Sequence, residues 1–374
     1  MGIIKKGSGY MKITDIRVGK VSIPLKKPFK TALRTVTKAE DIIAVVETDA
    51  GEAGYGEAPP TAVITGDTIG SIKWVIEDNI KKAIVGMDID DMEGIMSRID
   101  GAAVKNSSAK ACIDMAIYDL FCKAHKIPLY KLLGGAGNVI ETDITVSVNS
   151  PDEMAKDAVD YVKAGFNILK VKVGNDSKLD VERLKAVRSA VGGNIKIRAD
   201  ANQGWQAKEA VRTIRTFEDL GLDIELIEQP VKAYDIEGLK FVTENVETPV
   251  LADESVFSPY DAFRILSMRA ADLINIKLMK AGGIHNALKI NAMAEANGIE
   301  CMIGCMIESK LGVTAAAHLG AGKRNITRAD LDPVILLVKD PVVGGARFSG
   351  SKIMLGDEPG LGIKEIKGIE FGDG

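Results

Sequence analysis

The chain has 374 residues, 48 basic and 52 acidic side chains and a net charge of −4, so it presents no basic field for nucleic acid. No apolar run reaches the roughly 18 residues of a membrane span, and the N-terminus lacks the apolar core of a signal peptide; the expectation is a cytoplasmic protein with no membrane partner. Four cysteines, Cys112, Cys122, Cys301 and Cys305, are too few for a disulfide framework, and with His125, His285 and His318 scattered no zinc spacing arises.

In chain order, residues 1–10 read as an extension ahead of an alternative start at Met11. Extended segments at 13–24 and 41–48 then precede helical ones at 67–85 and 107–124, the order of an α+β domain reaching to about residue 133. Gly134-Gly135-Ala136-Gly137 is either a hinge or a helix stop, and carries no phosphate-binding loop. Beyond it come eight strand candidates, at 142–148, 168–173, 196–202, 224–228, 250–254, 273–278, 300–307 and 325–332. Segments between them, at 207–220, 236–244, 259–269 and 284–296, carry apolar residues at three-to-four spacing. Strands alternating with such helices predict a parallel sheet closing into an α/β barrel, and the chain exceeds the about 250 residues of one barrel, which leaves room for the first module.

Charged residues recur at the ends of these strands. Lys172, Asp200, Glu228, Asp253 and Lys277 follow one another at 28, 28, 25 and 24 residues, one strand-plus-helix unit each. A parallel barrel puts its site at the C-terminal strand ends, so these side chains converge. Asp200, Glu228 and Asp253 offer oxygen-only ligation, which favours magnesium over zinc. Lys172 and Lys277 stand on either side of the three carboxylates, an arrangement for taking a proton from one face of a carbon and returning it to the other. That role requires a neutral lysine, which burial and a neighbouring cation such as Lys170 favour.

Several segments taken together resemble the enolase superfamily, muconate-lactonizing subgroup. They are Lys170-Val171-Lys172, Asp200-Ala201-Asn202-Gln203-Gly204-Trp205, Ile227-Glu228-Gln229-Pro230, Ala252-Asp253-Glu254-Ser255, Asn275-Ile276-Lys277-Leu278-Met279-Lys280-Ala281-Gly282-Gly283, and the helix-forming stretch from Ser108 to Leu120. The resemblance implies a modified (β/α)7β TIM-type barrel at 134–335 under an α+β cap at 1–133, with 336–374 returning to the cap. It also implies one Mg2+ per subunit on Asp200, Glu228 and Asp253, and proton transfer at a carbon α to a carboxylate through an ene-diolate, with Lys172 acting on the S and Lys277 on the R configuration.

Arg328-Ala329-Asp330-Leu331-Asp332-Pro333 is similar to the segment by which dipeptide epimerases bind a free N-terminus, so Asp330 and Asp332 are expected to hold a substrate ammonium. The 28–36 loop and Ile64-Thr65-Gly66-Asp67 resemble the specificity loops of L-Ala-D/L-Glu epimerases, which implies that Arg34 meets a glutamate carboxylate. Thr145, Cys305 and Ile307 complete the expected pocket, with Lys170 counted among the substrate-binding residues. The expected activity is an isomerase that epimerises a dipeptide of cell-wall origin. An N-acylamino acid racemase or o-succinylbenzoate synthase of the same subgroup is the alternative, and a catalytically silent metabolite-binding barrel is the reading from another class. The sequence allows a homo-oligomer without specifying one.

Overall fold

A computed structural model of the protein describes residues 11–31 and 34–372. The expectation for residues 1–10, and Ala32 and Leu33 of the 28–36 loop, lie outside the described residues. The cap begins with three antiparallel strands, β1 (Ile13–Lys30), β2 (Thr35–Thr48) and β3 (Ala53–Ala58). Strand β3 was not among the predicted strands because Gly54 and Gly56 depress strand propensity. They serve packing instead: a Cβ at either would run into the backbone carbonyl of Ala116 or Cys112 on the helix Ser107–Ala124. That helix has no Gly or Pro, and its Ala109, Cys112, Ile113, Ala116 and Leu120 are buried. The predicted helix at 67–85 forms as a continuous run whose middle, Val75–Ile80, is a π-turn.

After a short strand β4 (Val139–Glu141), eight parallel strands form the second sheet: β5 (Ile144–Val146), β6 (Ile168–Lys172), β7 (Lys196–Asp200), β8 (Ile224–Glu228), β9 (Val250–Ala252), β10 (Leu273–Lys277), β11 (Glu300–Gly304) and β12 (Ile326–Asp330). They neighbour one another in chain order. The first and last strands nearly close the ring: Asp143 N–H donates to Ala329 O at 3.2 Å, and Leu331 N–H to Thr142 Oγ1 at 2.7 Å. Helices connect successive strands on the outside, including Pro151–Lys163, Ala207–Asp219 and Lys310–Gly322.

Because side chains alternate along a strand, Leu226, Leu251 and Met302 share the inward face with the residues two positions on, and Leu273 with Lys277 four on. These four form an apolar cluster of their own inside the barrel. The eighth connection is only the short helix Pro333–Leu336, after which the chain returns to the cap through bridges Leu25↔Leu337 and Lys20↔Glu370.

Candidate active site

The ladder register aligns the strand ends. Lys172 on β6 is the partner of Asp200 on β7, which is the partner of Glu228 on β8. Asp253 lies one residue past β9, where its N–H leaves the ladder for the Gln229 side chain (2.9 Å). Lys277 and Asp330 end β10 and β12, both beside Gly304 of β11. Gly304 leaves room there for its neighbours, since a Cβ would meet Asn275 Oδ1 at 2.8 Å and Lys277 Cε at 3.0 Å. Asn202, Gln203 and Gln229 take left-handed backbone at φ of 42°, 68° and 36°, so the chain turns sharply out of β7 and β8 at the site.

Burial and charge concentrate here. Lys172 Nζ lies 2.6 Å from Asp200 Oδ2 and Lys277 Nζ 2.7 Å from Asp253 Oδ2. Lys170 Nζ contacts Glu228 Oε2 (2.7 Å), Asp330 Oδ2 (2.7 Å) and Asp200 Oδ2 (3.1 Å). Lys280 Nζ reaches Asp253 Oδ1 (2.6 Å), Asn275 O (3.0 Å) and the Asp253 carbonyl. Burial pushes the Glu228 carboxyl up to about 7, with Asp200 adding to the push. For Asp253 burial acts the same way, but Lys277 and Lys280 outweigh it and hold the carboxyl well below the usual range.

The carboxylates around Lys277 work against the neutral amine that its role as a base requires. Burial disfavours its ammonium, yet the Asp253 carboxylate, with Glu228 and Glu254, more than compensates and raises Lys277 above the ordinary lysine range. Lys170 is likewise raised by Asp330, Glu228 and Asp200 against the cost of burial.

Asp200, Glu228 and Asp253 are fully buried and supply only oxygen donors. Among the described residues, no group of three or more His, Cys, Asp or Glu side chains is gathered to hold a metal ion, and each of the three carboxylates is in contact with a lysine. The chemistry of the donor set nevertheless fits a hard divalent cation. Glu228 Oε2 and Asp253 Oδ1 touch lysines without an aligned hydrogen bond, and the neighbouring Glu254 Oε2, Asn202 Oδ1 and Asn275 Oδ1 are buried with no donor at all. Burial, with Asp253 beside it, pushes Glu254 up to about 8. Acceptor oxygens thus outnumber the donors that reach them.

Above this layer lies a pocket with a cavity volume of about 50 Å³. Arg34, Thr145, Cys305, Ile307, Asp330 and Asp332 line it with Lys172 and Lys277, so those predicted residues are brought together. Lys170 is not in the lining: it is 1 % exposed and its ammonium is engaged by three carboxylates. Cys305 and Ile307 do not belong to a strand as expected, since β11 ends at Gly304, but the loop still presents both to the pocket. Asp332 lies two residues past β12, where Thr145 N–H donates to its Oδ2 at 2.7 Å. The Lys170 ammonium overcomes burial and holds Asp330 at about 2, whereas burial and Asp330 push Asp332 up to about 6. No acidic side chain among the described residues pairs with the Arg34 guanidinium.

Glu254, Lys280, Asn202 and Asn275 belong to this site without having been assigned a role from sequence. All sit within the recognised strand-end motifs, two or three positions from an assigned residue or directly beside one, so the strand period was the signal that marked them.

Comparison with known proteins follows the same outline. Residues 13–134 match the mandelate racemase / muconate lactonizing enzyme N-terminal domain, and residues 153–366 match the enolase C-terminal domain-like family. The chain is 57 % identical over 356 residues to the L-Ala-D/L-Glu epimerase of Clostridium acetobutylicum, covering 95 % of this chain and 99 % of the relative. Among solved structures, a substrate-liganded complex of the L-Ala-D/L-Glu epimerase from Bacillus subtilis superposes with a TM-score of 0.94 at 54 % identity, covering 95 % and 99 % of the two chains. The dipeptide epimerase of Enterococcus faecalis, complexed with Mg and the dipeptide L-Leu-L-Tyr, gives 0.92 at 47 % identity, covering 95 % and 100 %.

Proposed function

The chain belongs to the mandelate racemase / muconate lactonizing enzyme family of the enolase superfamily, and from that membership we propose its function. It is a magnesium-dependent dipeptide epimerase, an isomerase that inverts the α-carbon of the C-terminal residue of a dipeptide, with L-Ala-D/L-Glu as substrate. The observation that carries this reading is the placement of two buried lysines, Lys172 and Lys277, on separate strands that flank those bearing Asp200, Glu228 and Asp253.

Asp200, Glu228 and Asp253 would hold Mg2+, which when bound supplies positive charge against the substrate carboxylate and offsets the Asp253 and Glu228 charge that raises Lys277. Lys172 Nζ takes the α-proton from one configuration and Lys277 Nζ from the other, and the opposite lysine returns a proton to the far face. Asp330 and Asp332 bind the substrate ammonium, and Arg34 binds the glutamate carboxylate through its fork of N–H donors. Thr145, Cys305 and Ile307 wall the dipeptide. Lys170 holds Asp200 and Asp330 ionised against burial and orients both with Glu228. Four free cysteines accord with a reducing cytoplasm, and turnover of cell-wall peptide is the physiological setting we assign.

Incubation with L-Ala-L-Glu in heavy water tests the reading by NMR. The prediction is deuterium at the α-carbon of the glutamate alone and accumulation of L-Ala-D-Glu. N-acetyl-L-Ala-L-Glu should turn over at least about tenfold more slowly, since it gives up charge-assisted bonds to two aspartates. Equal turnover of the acetylated dipeptide would favour an N-acylamino acid racemase instead.

A further inference from the structure

The cap meets the barrel mouth through a second carboxyl cluster, which the epimerisation chemistry does not use. Asp41 on β2 and Glu57 on β3 are fully buried, and Glu308 just past the pocket wall is 2 % exposed. Among the described residues, no lysine, arginine or histidine forms an ion pair or hydrogen bond with any of the three. Glu57 Oε1 accepts Ser309 N–H (2.7 Å), while its Oε2 accepts Ser309 O–H (2.8 Å) and Gly312 N–H (2.6 Å). A cap carboxylate therefore grips the first turn of the barrel helix Lys310–Gly322. Glu308 Oε1 accepts Met306 N–H (2.7 Å), pinning the 305–307 loop that lines the substrate pocket. Gly312 is a close approach: its added Cβ would lie 3.1 Å from Glu57 Oε2 and would collide with Glu308 Oε2.

Two facts assign the protons. Burial pushes the Glu57 carboxyl up, but it receives three donors that pull the other way, as an ionised carboxylate does. Both Asp41 oxygens are buried with no donor from the protein, and its carboxyl lies against Glu57, an arrangement that a neutral Asp41 sharing its proton with Glu57 satisfies. Burial and the adjacent Glu57 accordingly hold Asp41 well above the usual carboxylate range, and burial with Glu57 pushes Glu308 up to about 8.

We propose that Glu57 is a positioning residue for the substrate pocket: an ionised cap carboxylate, hydrogen-bonded by neutral Asp41, that fixes the barrel segment 305–312. The kinetic part of this proposal rests on the epimerase reading above. It joins the cap, which carries Arg34, to the loop that carries Cys305 and Ile307, so both walls of the pocket are held in one register.

The test compares wild type with Glu57→Gln, Asp41→Asn and Ser309→Ala, by steady-state epimerisation of L-Ala-L-Glu and by amide hydrogen exchange of the unliganded proteins. Glu57→Gln should raise KM about tenfold with kcat within about threefold, because the wall shifts while both lysines stay in place. It should also speed exchange at Ser309 and Gly312. Asp41→Asn, whose amide replaces the acid O–H as donor, should stay within about threefold of wild type and leave that exchange slow. Ser309→Ala keeps the charge and loses one donor, and should raise KM about threefold. A wild-type KM in Glu57→Gln, a loss confined to kcat, or an Asp41→Asn as impaired as Glu57→Gln would overturn the proposal. Should Glu57→Gln fail to fold, an unchanged KM in Ser309→Ala would overturn it. A wild type inactive on every dipeptide would refute the functional reading, and the exchange contrast between Glu57→Gln and Asp41→Asn would still decide the positioning role.

Discussion

Lys170 shows why the site coheres: one ammonium, 1 % exposed, neutralises carboxylates from three strands. Removing one partner of such a buried set leaves the others uncompensated, at a cost of about 3–5 kcal/mol. Lys170→Met should therefore lower the urea-unfolding free energy of chelator-treated protein by that order; a loss under 1 kcal/mol, on the order of a surface change, would show that the carboxylates are compensated elsewhere. The paired aspartates give a pH signature. Asp332 titrates at about 6 while Asp330, held by Lys170 against burial, stays ionised down to about 2. Above pH 6 both are anionic, as the proposed grip on a substrate ammonium requires; as pH falls through 6, Asp332 takes a proton and one charge is lost. The acidic limb of kcat/KM should then lie near that value and vanish in Asp332→Asn, which should be slower throughout. For Arg34, whose guanidinium has no acidic partner among the described residues, Arg34→Ala should raise KM for L-Ala-L-Glu by about tenfold or more and leave that for L-Ala-L-Ala nearly unchanged.

At the scale of elements, the helix Ser107–Ala124 ties the molecule together. Asp114 accepts Ile284 N–H (2.6 Å) and His285 N–H (3.1 Å), and so caps the helix Ile284–Ala296 that follows Lys277. Asp119 accepts Tyr55 N–H from the cap sheet and Leu361 N–H from the C-terminal segment. The periodicity of the helix was legible in the sequence, and so was its membership of a family signature. The partners of its aspartates were not, because they lie 170 and 242 residues away along the chain. The same limit hid β3: two glycines read locally as a loop, and only the helix packed on them explains their use. His318, on the helix Lys310–Gly322, accepts Tyr130 N–H at Nδ1 (2.9 Å), and burial pushes its imidazole down to about 3. The folded state keeps it neutral where the unfolded chain, at about 6.5, would protonate it. The unfolded state thus binds the extra proton, and stability present above about pH 6.5 is lost as pH falls toward 3, by at most about 1.4 kcal/mol per pH unit. Urea titrations across pH 4.5–7 should show a shallower slope in His318→Gln than in wild type.

For the whole molecule, the architecture followed from a repeat of 24 to 28 residues between charged strand ends, since a parallel barrel converts that period into one ring of side chains. The strands end earlier than expected at β9 and β11, where Asp253 bonds the Gln229 side chain and Gly304 gives way to the pocket loop. The Asp41, Glu57 and Glu308 cluster was illegible for a different reason: it exists only where cap and barrel meet, and no local pattern marks an acid that keeps its proton. Nor could sequence give the balance at Lys277, where carboxylate attraction exceeds the cost of burial.

The central claim is that two lysines act from opposite faces of one carbon. Its most direct measurement is α-proton exchange in heavy water by Lys172→Ala and Lys277→Ala, each offered L-Ala-L-Glu and L-Ala-D-Glu separately. The account predicts that both variants lose epimerisation by at least about 100-fold, that Lys277→Ala still exchanges the L-Glu dipeptide alone, and that Lys172→Ala still exchanges the D-Glu dipeptide alone. Exchange of both dipeptides by either variant would contradict it.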